Sequence, residues 1–276
     1  MHTLQETYEE LLEAARDGVA AAAYGPDADL AGPLYEGLVD AFQGLAISNV
    51  LLNYDAEQFR LDLLYAAGAQ RQFRQVCLRD QAAPLQTAIS RTDALFCAIA
   101  AREEGLTQDL VRLGATAWVP DGEYEDDFCY HAVLSRVVAP SAAGDLPEAE
   151  ALVERFREVV GAEASARLDL CEALAEGDAR AFRVAFDALL VEREAWVEEM
   201  APVRFMDPFF QTTRHLFVEG IALLAVAEAR GWTMGDHYAY CPEIARLAPT
   251  VPTPPDLFTD VVPLLRDSRR RRGLDT

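Results

Sequence analysis

A chain of 276 residues, 51% of them hydrophobic, is long enough to bury a sizeable core, and its length points to one large domain. Its 24 basic residues against 46 acidic ones leave a formal charge of −22, which repels the phosphates of nucleic acid and anionic lipid surfaces and steers cationic partners inward. Every basic residue is Arg, and the absence of Lys excludes a P-loop ATPase, a protein kinase, a pyridoxal enzyme and a Schiff-base aldolase.

In chain order, "MHTLQETYEELLEAARDG" is acidic and amphipathic where a secretory leader is basic and then apolar, so a cytoplasmic protein is expected. Apolar residues recur at helical spacing, predicting helices over residues 4–23, 34–52, 56–79, 84–103 and 107–117, with a break at "YGPDADLAGP". After "VPDG" the pattern resumes over 123–138, and after "APSAAGDLP" over 147–160 and 162–176. Residues 178–200 carry the clearest stripe, Phe182, Phe186, Leu189, Leu190, Val197 and Met200, with Asp178 placed to cap the free amides of the first turn. A last helix is expected over 208–230. Its apolar run, "LFVEGIALLAVAEA", is too short to span a bilayer and is interrupted by Glu219. "APTVPTPPDLF" cannot be helical and should lie extended across the helices. Residues 266–276 hold five arginines and two aspartates and read as a flexible tail, which leaves −25 on residues 1–265.

Three stretches share one plan, a helix ending in Ala and Glu, a Gly turn, then a second amphipathic run: "AIAAREEGLTQDLVRL", "EALAEGDARAFRVAF" and "AVAEARGWTMGDHYAY". Gly105, Gly177 and Gly231 are placed to take the left-handed conformation that closes a helix. No alternating strand accompanies them. The fold class that follows is all-α, an irregular bundle or compact solenoid of stacked antiparallel helical hairpins, forming one domain over residues 1–265. Cys77, Cys97, Cys129, Cys171 and Cys241 are odd in number, widely spaced and without a C-x-x-C pair, as buried thiols in a reducing compartment would be.

The densest chemistry lies at residues 121–131, "DGEYEDDFCYH". Clustered carboxylates can hold a hard cation such as Mg2+, but Cys129 and His131, two apart on a helix, are poorly spaced for Zn2+. Acidic residues also favour a helix N-terminus through its dipole, so Glu123 to Asp127 can equally be a solvated helix start or a charged handle for a partner. His215 and Glu219 fall one turn apart on the expected 208–230 helix, as an acid-base pair or, more simply, as two polar groups satisfying each other. "GDHYAYCPEI" offers His237, Tyr238 and Tyr240 as interface anchors or as ordinary covers of helix ends. No nucleophile elbow, H-E-x-x-H or Gly-rich phosphate loop occurs. The reading therefore contains no catalytic residue, no cofactor and no metal.

Taken in order, "ALFCAIAAREEG", "EYEDDFCYHAVLSRVV", "ARLDLCEALAEGDARAFRVAFDALL", "GIALLAVAEARGW" and "YCPEIARL" resemble the immunity protein 49 family of bacterial polymorphic toxin systems, over roughly residues 94–247. The resemblance implies an all-α, non-enzymatic protein, made beside a toxin in the same cell, that binds the toxin domain and blocks it. From charge alone, the partner expected is a cationic toxin such as a nuclease, met by a monomer or homodimer. The handle would be Glu123, Glu125, Asp126 and Asp127, with Tyr124, Phe128 and Tyr130 supplying apolar contact among the charges. Two other readings stay open: an α-helical scaffold or adaptor binding a peptide, and a metal-dependent enzyme centred on residues 121–131.

Overall fold

The computed structural model describes residues 3–23, 28–120, 122–250 and 252–253. Among them are eleven α-helices and no strand: α1 Leu4–Ala22, α2 Ala28–Asn53, α3 Ala56–Asp80, α4 Ala94–Ala100, α5 Glu104–Leu113, α6 Glu125–Val138, α7 Ala149–Val160, α8 Ala166–Glu176, α9 Ala179–Met200, α10 Pro208–Thr213 and α11 Val218–Ala229. The chain is all-α. None of these helices is long and apolar enough to cross a membrane. The Arg-rich residues 266–276 lie outside the described residues.

Helix ends follow local chemistry. At α1, Thr3 and Glu6 form a reciprocal capping box, each side chain accepting from the other's backbone N–H. Ser165 caps α8, Gly177 ends it at φ +74°, and Asp178 then accepts from the N–H groups of Arg180 and Ala181 at 2.8 and 3.0 Å to start α9. Those two backbone donors hold the Asp178 pKa below the ordinary aspartate value. Gly231 likewise lies at φ +76° after α11. Gly105 differs from expectation: it sits inside α5, and Arg102 takes the left-handed turn between α4 and α5 at φ +55°. The strained residue is tethered by its own side chain, which pairs with Glu228 and donates to the Arg246 carbonyl at 3.2 Å.

Two expected helices are each broken by a long-range bond. The 84–103 segment forms a short 3-10 turn at Pro84–Thr87 and becomes α-helical only at α4. Between them, the Ser90 N–H and hydroxyl both donate to Glu123 Oε2, at 3.1 and 2.7 Å, which holds the backbone away from a helical path. The 208–230 segment divides into α10 and α11 because the Phe217 N–H donates to the Tyr240 carbonyl at 2.9 Å in extended geometry. Helix α2 departs the other way: it begins at Ala28 and runs through Pro33, which the sequence had suggested as a break.

Neighbouring helices pack in sequence order, α1 on α2, α2 on α3, α6 on α7, α7 on α8 and α8 on α9. Helix α10 then returns to α1 and α2, and α11 to α4, closing the array. One hydrophobic cluster runs continuously from Leu11 to Ala245. Its spine is α2, where every residue from 38 to 50 is buried except Asp40. After the helices, residues 248–250 and 252–253 cross the start of α3: the Thr250 N–H donates to Glu57 at 3.0 Å, and Arg60 donates to the Thr253 hydroxyl at 2.6 Å.

Candidate functional site

The acidic stretch before and within α6 is mostly spent inside the molecule. Glu123 accepts from Ser90 and, at 3.3 Å, from the Val119 N–H, while its own carbonyl accepts from the Trp118 indole at 3.1 Å. Glu125 pairs with Arg155 at 2.6 Å, and that guanidinium also lies over the rings of Trp118 and Phe128. Asp127 pairs with Arg167 at 3.1 Å. Phe128 and Tyr130, expected to touch a partner, are 1% and 0% exposed, because α7 and α8 both pack on α6 and bury residues 128–135. Tyr124, 79% exposed, and Asp126 are the side chains of the stretch that face solvent. Asp121 lies outside the described residues.

Behind the stretch lies a partly buried charged network drawn from three helices. The Arg167 guanidinium, from α8, donates to both oxygens of Glu219 of α11, at 3.1 and 2.9 Å, and stands 4.8 Å over the Tyr130 ring of α6. The Tyr130 hydroxyl donates to Glu219 Oε1 at 2.8 Å. Burial, then the neighbouring Glu219 charge, raises the phenol pKa well above its ordinary value, so Tyr130 stays protonated as a donor. His215 takes no part in this arrangement. It is exposed in the link between α10 and α11, and the two residues do not share a helix. Glu219 finds its cation 52 positions away, on α8.

The network forms one wall of a cleft of about 580 Å³ bounded by α8, α9, α10 and the α10–α11 link. Arg193 crosses it, 4.4 Å over Trp196 and 4.9 Å over Phe217, donating to the Thr213 carbonyl at 2.5 Å while its Nε has no partner. Asp93, which solvent reaches, accepts a 3.5 Å bond from Gln43 and makes no ion pair among the described residues. Burial among protein atoms, then the Glu219 charge, raises its pKa. Asp40, near it on α2, is reached by solvent as Asp93 is, and the protein atoms crowded around it, then the charges of Asp93, Asp207 and Glu36, raise its pKa against a smaller opposing effect of Arg204. The cleft lining thus brings together three carboxylates, Asp93, Glu192 and Glu219, and three guanidinium groups, Arg167, Arg193 and Arg204, and the Arg167 and Arg193 charges oppose the rise at Asp93.

The cysteines are not poised as thiolates. All five cysteines are free and buried, and burial pushes each thiol pKa up, that of Cys129 to about 11 and that of Cys241 to about 12. His131 is buried against Phe96 with its Nδ1 unpartnered, and burial, followed by the charges of Arg167 and Arg74, lowers its pKa to about 3. Among the described residues no three His, Cys, Asp or Glu side chains converge as metal ligands. Sequence reasoning missed Asp93, Arg167, Arg193 and Trp196. Glu219 in an apolar run was the available signal, since a buried carboxylate demands a cation, but nothing in the sequence says which.

Comparison with curated proteins and with solved structures gave no match. Comparison with protein families matched residues 45–245, well over half of the chain, to the family described as Immunity protein 49. The match spans α3 to α11 with the last third of α2, and so takes in every residue of the network and all of the cleft lining except Gln43. The chain belongs to the immunity protein 49 family.

Proposed function

We propose that this protein acts in the cytoplasm as an immunity protein, binding a cognate toxin domain in a fixed ratio and blocking it without chemistry of its own. The observation that carries the reading is the family match over residues 45–245. The charge of −22 supports a cationic toxin, such as a nuclease, whose substrate-phosphate site acidic side chains can occupy. Five free, buried cysteines whose thiols burial keeps protonated act as packing groups, which supports a binding role over thiol chemistry. On the acidic stretch, Tyr124 and Asp126, with the outer edges of Glu123, Glu125 and Asp127 beside them, stay exposed to serve as peripheral contacts with the toxin.

The test is to purify the toxin domain encoded beside this gene, inactivated at its own catalytic residue, and mix it with this protein. A complex of defined stoichiometry by light scattering is expected, with affinity falling as salt rises. Two folded proteins that elute separately at micromolar concentration would refute the reading.

A further inference from the structure

Between α9 and α10, residues 201–207 form a tip that exposes three large apolar side chains, Val203 at 74%, Phe205 at 61% and Met206 at 61%. The tip is ordered by its own hydrogen bonds. The Val203 and Arg204 N–H groups donate to the Met200 carbonyl at 3.0 and 2.8 Å, the Asp207 N–H donates to the Arg204 carbonyl at 3.0 Å, and Gln211 donates to the Phe205 carbonyl at 2.8 Å. Apolar side chains held at a surface in a fixed turn expose area to water at a cost that a partner can recover, with little ordering entropy left to lose.

The surroundings of the tip state the charge of that partner. On the last two turns of α9, Glu194, Glu198 and Glu199 are exposed and make no ion pair among the described residues. Arg204, on the tip, opens onto the same cleft as Asp93, and Asp207 at the tip's end raises the pKa of Asp40. The acidic end of α9 thus leads into the apolar tip, and the tip, through Arg204, into a cleft where Asp93 makes no ion pair among the described residues. Basic side chains would relieve the charge, and an apolar residue beside them would cover Phe205 and Met206.

We infer that the end of α9, the 201–207 tip and the adjoining cleft form the toxin-docking surface, receiving a basic segment of the toxin with one cationic side chain entering toward Asp93. This rests on the immunity reading above. It places the principal apolar contact on the α9–α10 tip and not on Tyr124 and Asp126.

The experiment measures affinity for the inactivated toxin domain with wild type, Phe205→Ser/Met206→Ser, Asp93→Asn and Tyr124→Ser/Asp126→Ser, each checked for unchanged helical content. Loss of affinity by about tenfold or more is expected for the tip variant, as for a central apolar anchor. Asp93→Asn should weaken binding and flatten its salt dependence, while the Tyr124/Asp126 variant should bind within about threefold of wild type, as rim contacts do. In the wild-type complex, hydrogen exchange should slow over residues 198–207. A wild-type complex with unchanged affinity in the tip and Asp93 variants, and no protection over 198–207, overturns the docking surface but leaves the immunity reading standing. Absence of any wild-type complex overturns both.

Discussion

Arg167 grips Glu219 with two parallel hydrogen bonds, at 3.1 and 2.9 Å, across the junction of α8 and α11. The Glu219 side chain is 8% exposed, so the pair neutralises a carboxylate that water reaches poorly, and Tyr130 supplies a third donor from α6. Three helices distant in sequence are thereby fixed in one arrangement beside the cleft.

Removing the cation should therefore cost more than removing the phenol. Arg167→Ala strands a buried carboxylate and is expected to lower the unfolding free energy by about 3 kcal/mol. Tyr130→Phe leaves Glu219 held by Arg167 and should cost only about 1 kcal/mol. Urea denaturation of the two variants measures both; equal, negligible losses would show that the network contributes nothing to stability.

Glu123 and its exposed neighbours should separate in the same assay. Glu123→Ala removes the acceptor that holds Ser90 and Val119 and is expected to destabilise the fold by about 2 kcal/mol. Tyr124→Ser/Asp126→Ser, on solvated side chains, should shift stability by less than about 0.5 kcal/mol. Glu123 is thus a latch on the 88–93 loop, and a loss confined to the exposed pair would contradict that role.

Asp62 is 4% exposed, accepts bonds of 2.8 Å from Asn49 and Gln58, and has its pKa raised to about 7, chiefly by burial. Its folded pKa lies above the unfolded value, so the folded state binds the proton more tightly. The stabilisation this provides is full below about pH 4 and is lost as pH rises through about 7. Asp62→Asn should remove that dependence: relative to wild type, the variant gains on the order of 2 kcal/mol between pH 5 and pH 8. Unfolding curves at the two pH values decide it, and an unchanged difference would show that Asp62 titrates normally.

His131 works in the opposite direction. Its folded pKa of about 3 lies below the ordinary 6.5, so the neutral ring contributes stability that is full above 6.5 and is lost as pH falls toward 3. His131→Phe keeps a ring against Phe96 and removes the proton site, so acid unfolding should move to lower pH by about half a unit or more. Circular dichroism during acid titration reads the midpoint directly.

Most helices were legible because apolar spacing and caps are local properties: Asp178 and Gly177 place the α8–α9 hairpin from sequence alone. The interruptions were not, because Ser90 with Glu123 and Phe217 with Tyr240 are bonds between segments that no local pattern links. Arg102 in place of Gly105 at the α4–α5 turn has the same origin, a side chain anchored to Glu228 on α11. At the site, the run of charge and aromatics from Glu123 to Tyr130 looked like one surface. Helical geometry divides it, turning Phe128 and Tyr130 inward and leaving Tyr124 and Asp126 outside. The cleft could not be foreseen, since Asp93, Arg167 and Arg193 meet only through tertiary packing.

Growth rescue tests the central claim most directly. Cells expressing the active toxin domain encoded beside this gene are compared with and without this protein, and with a version carrying Phe205→Ser/Met206→Ser. Growth restored by the wild type and lost again with the tip variant, at equal protein levels, is the predicted result. Cells that die equally in all three cases, with both proteins folded and expressed, would contradict the immunity function itself.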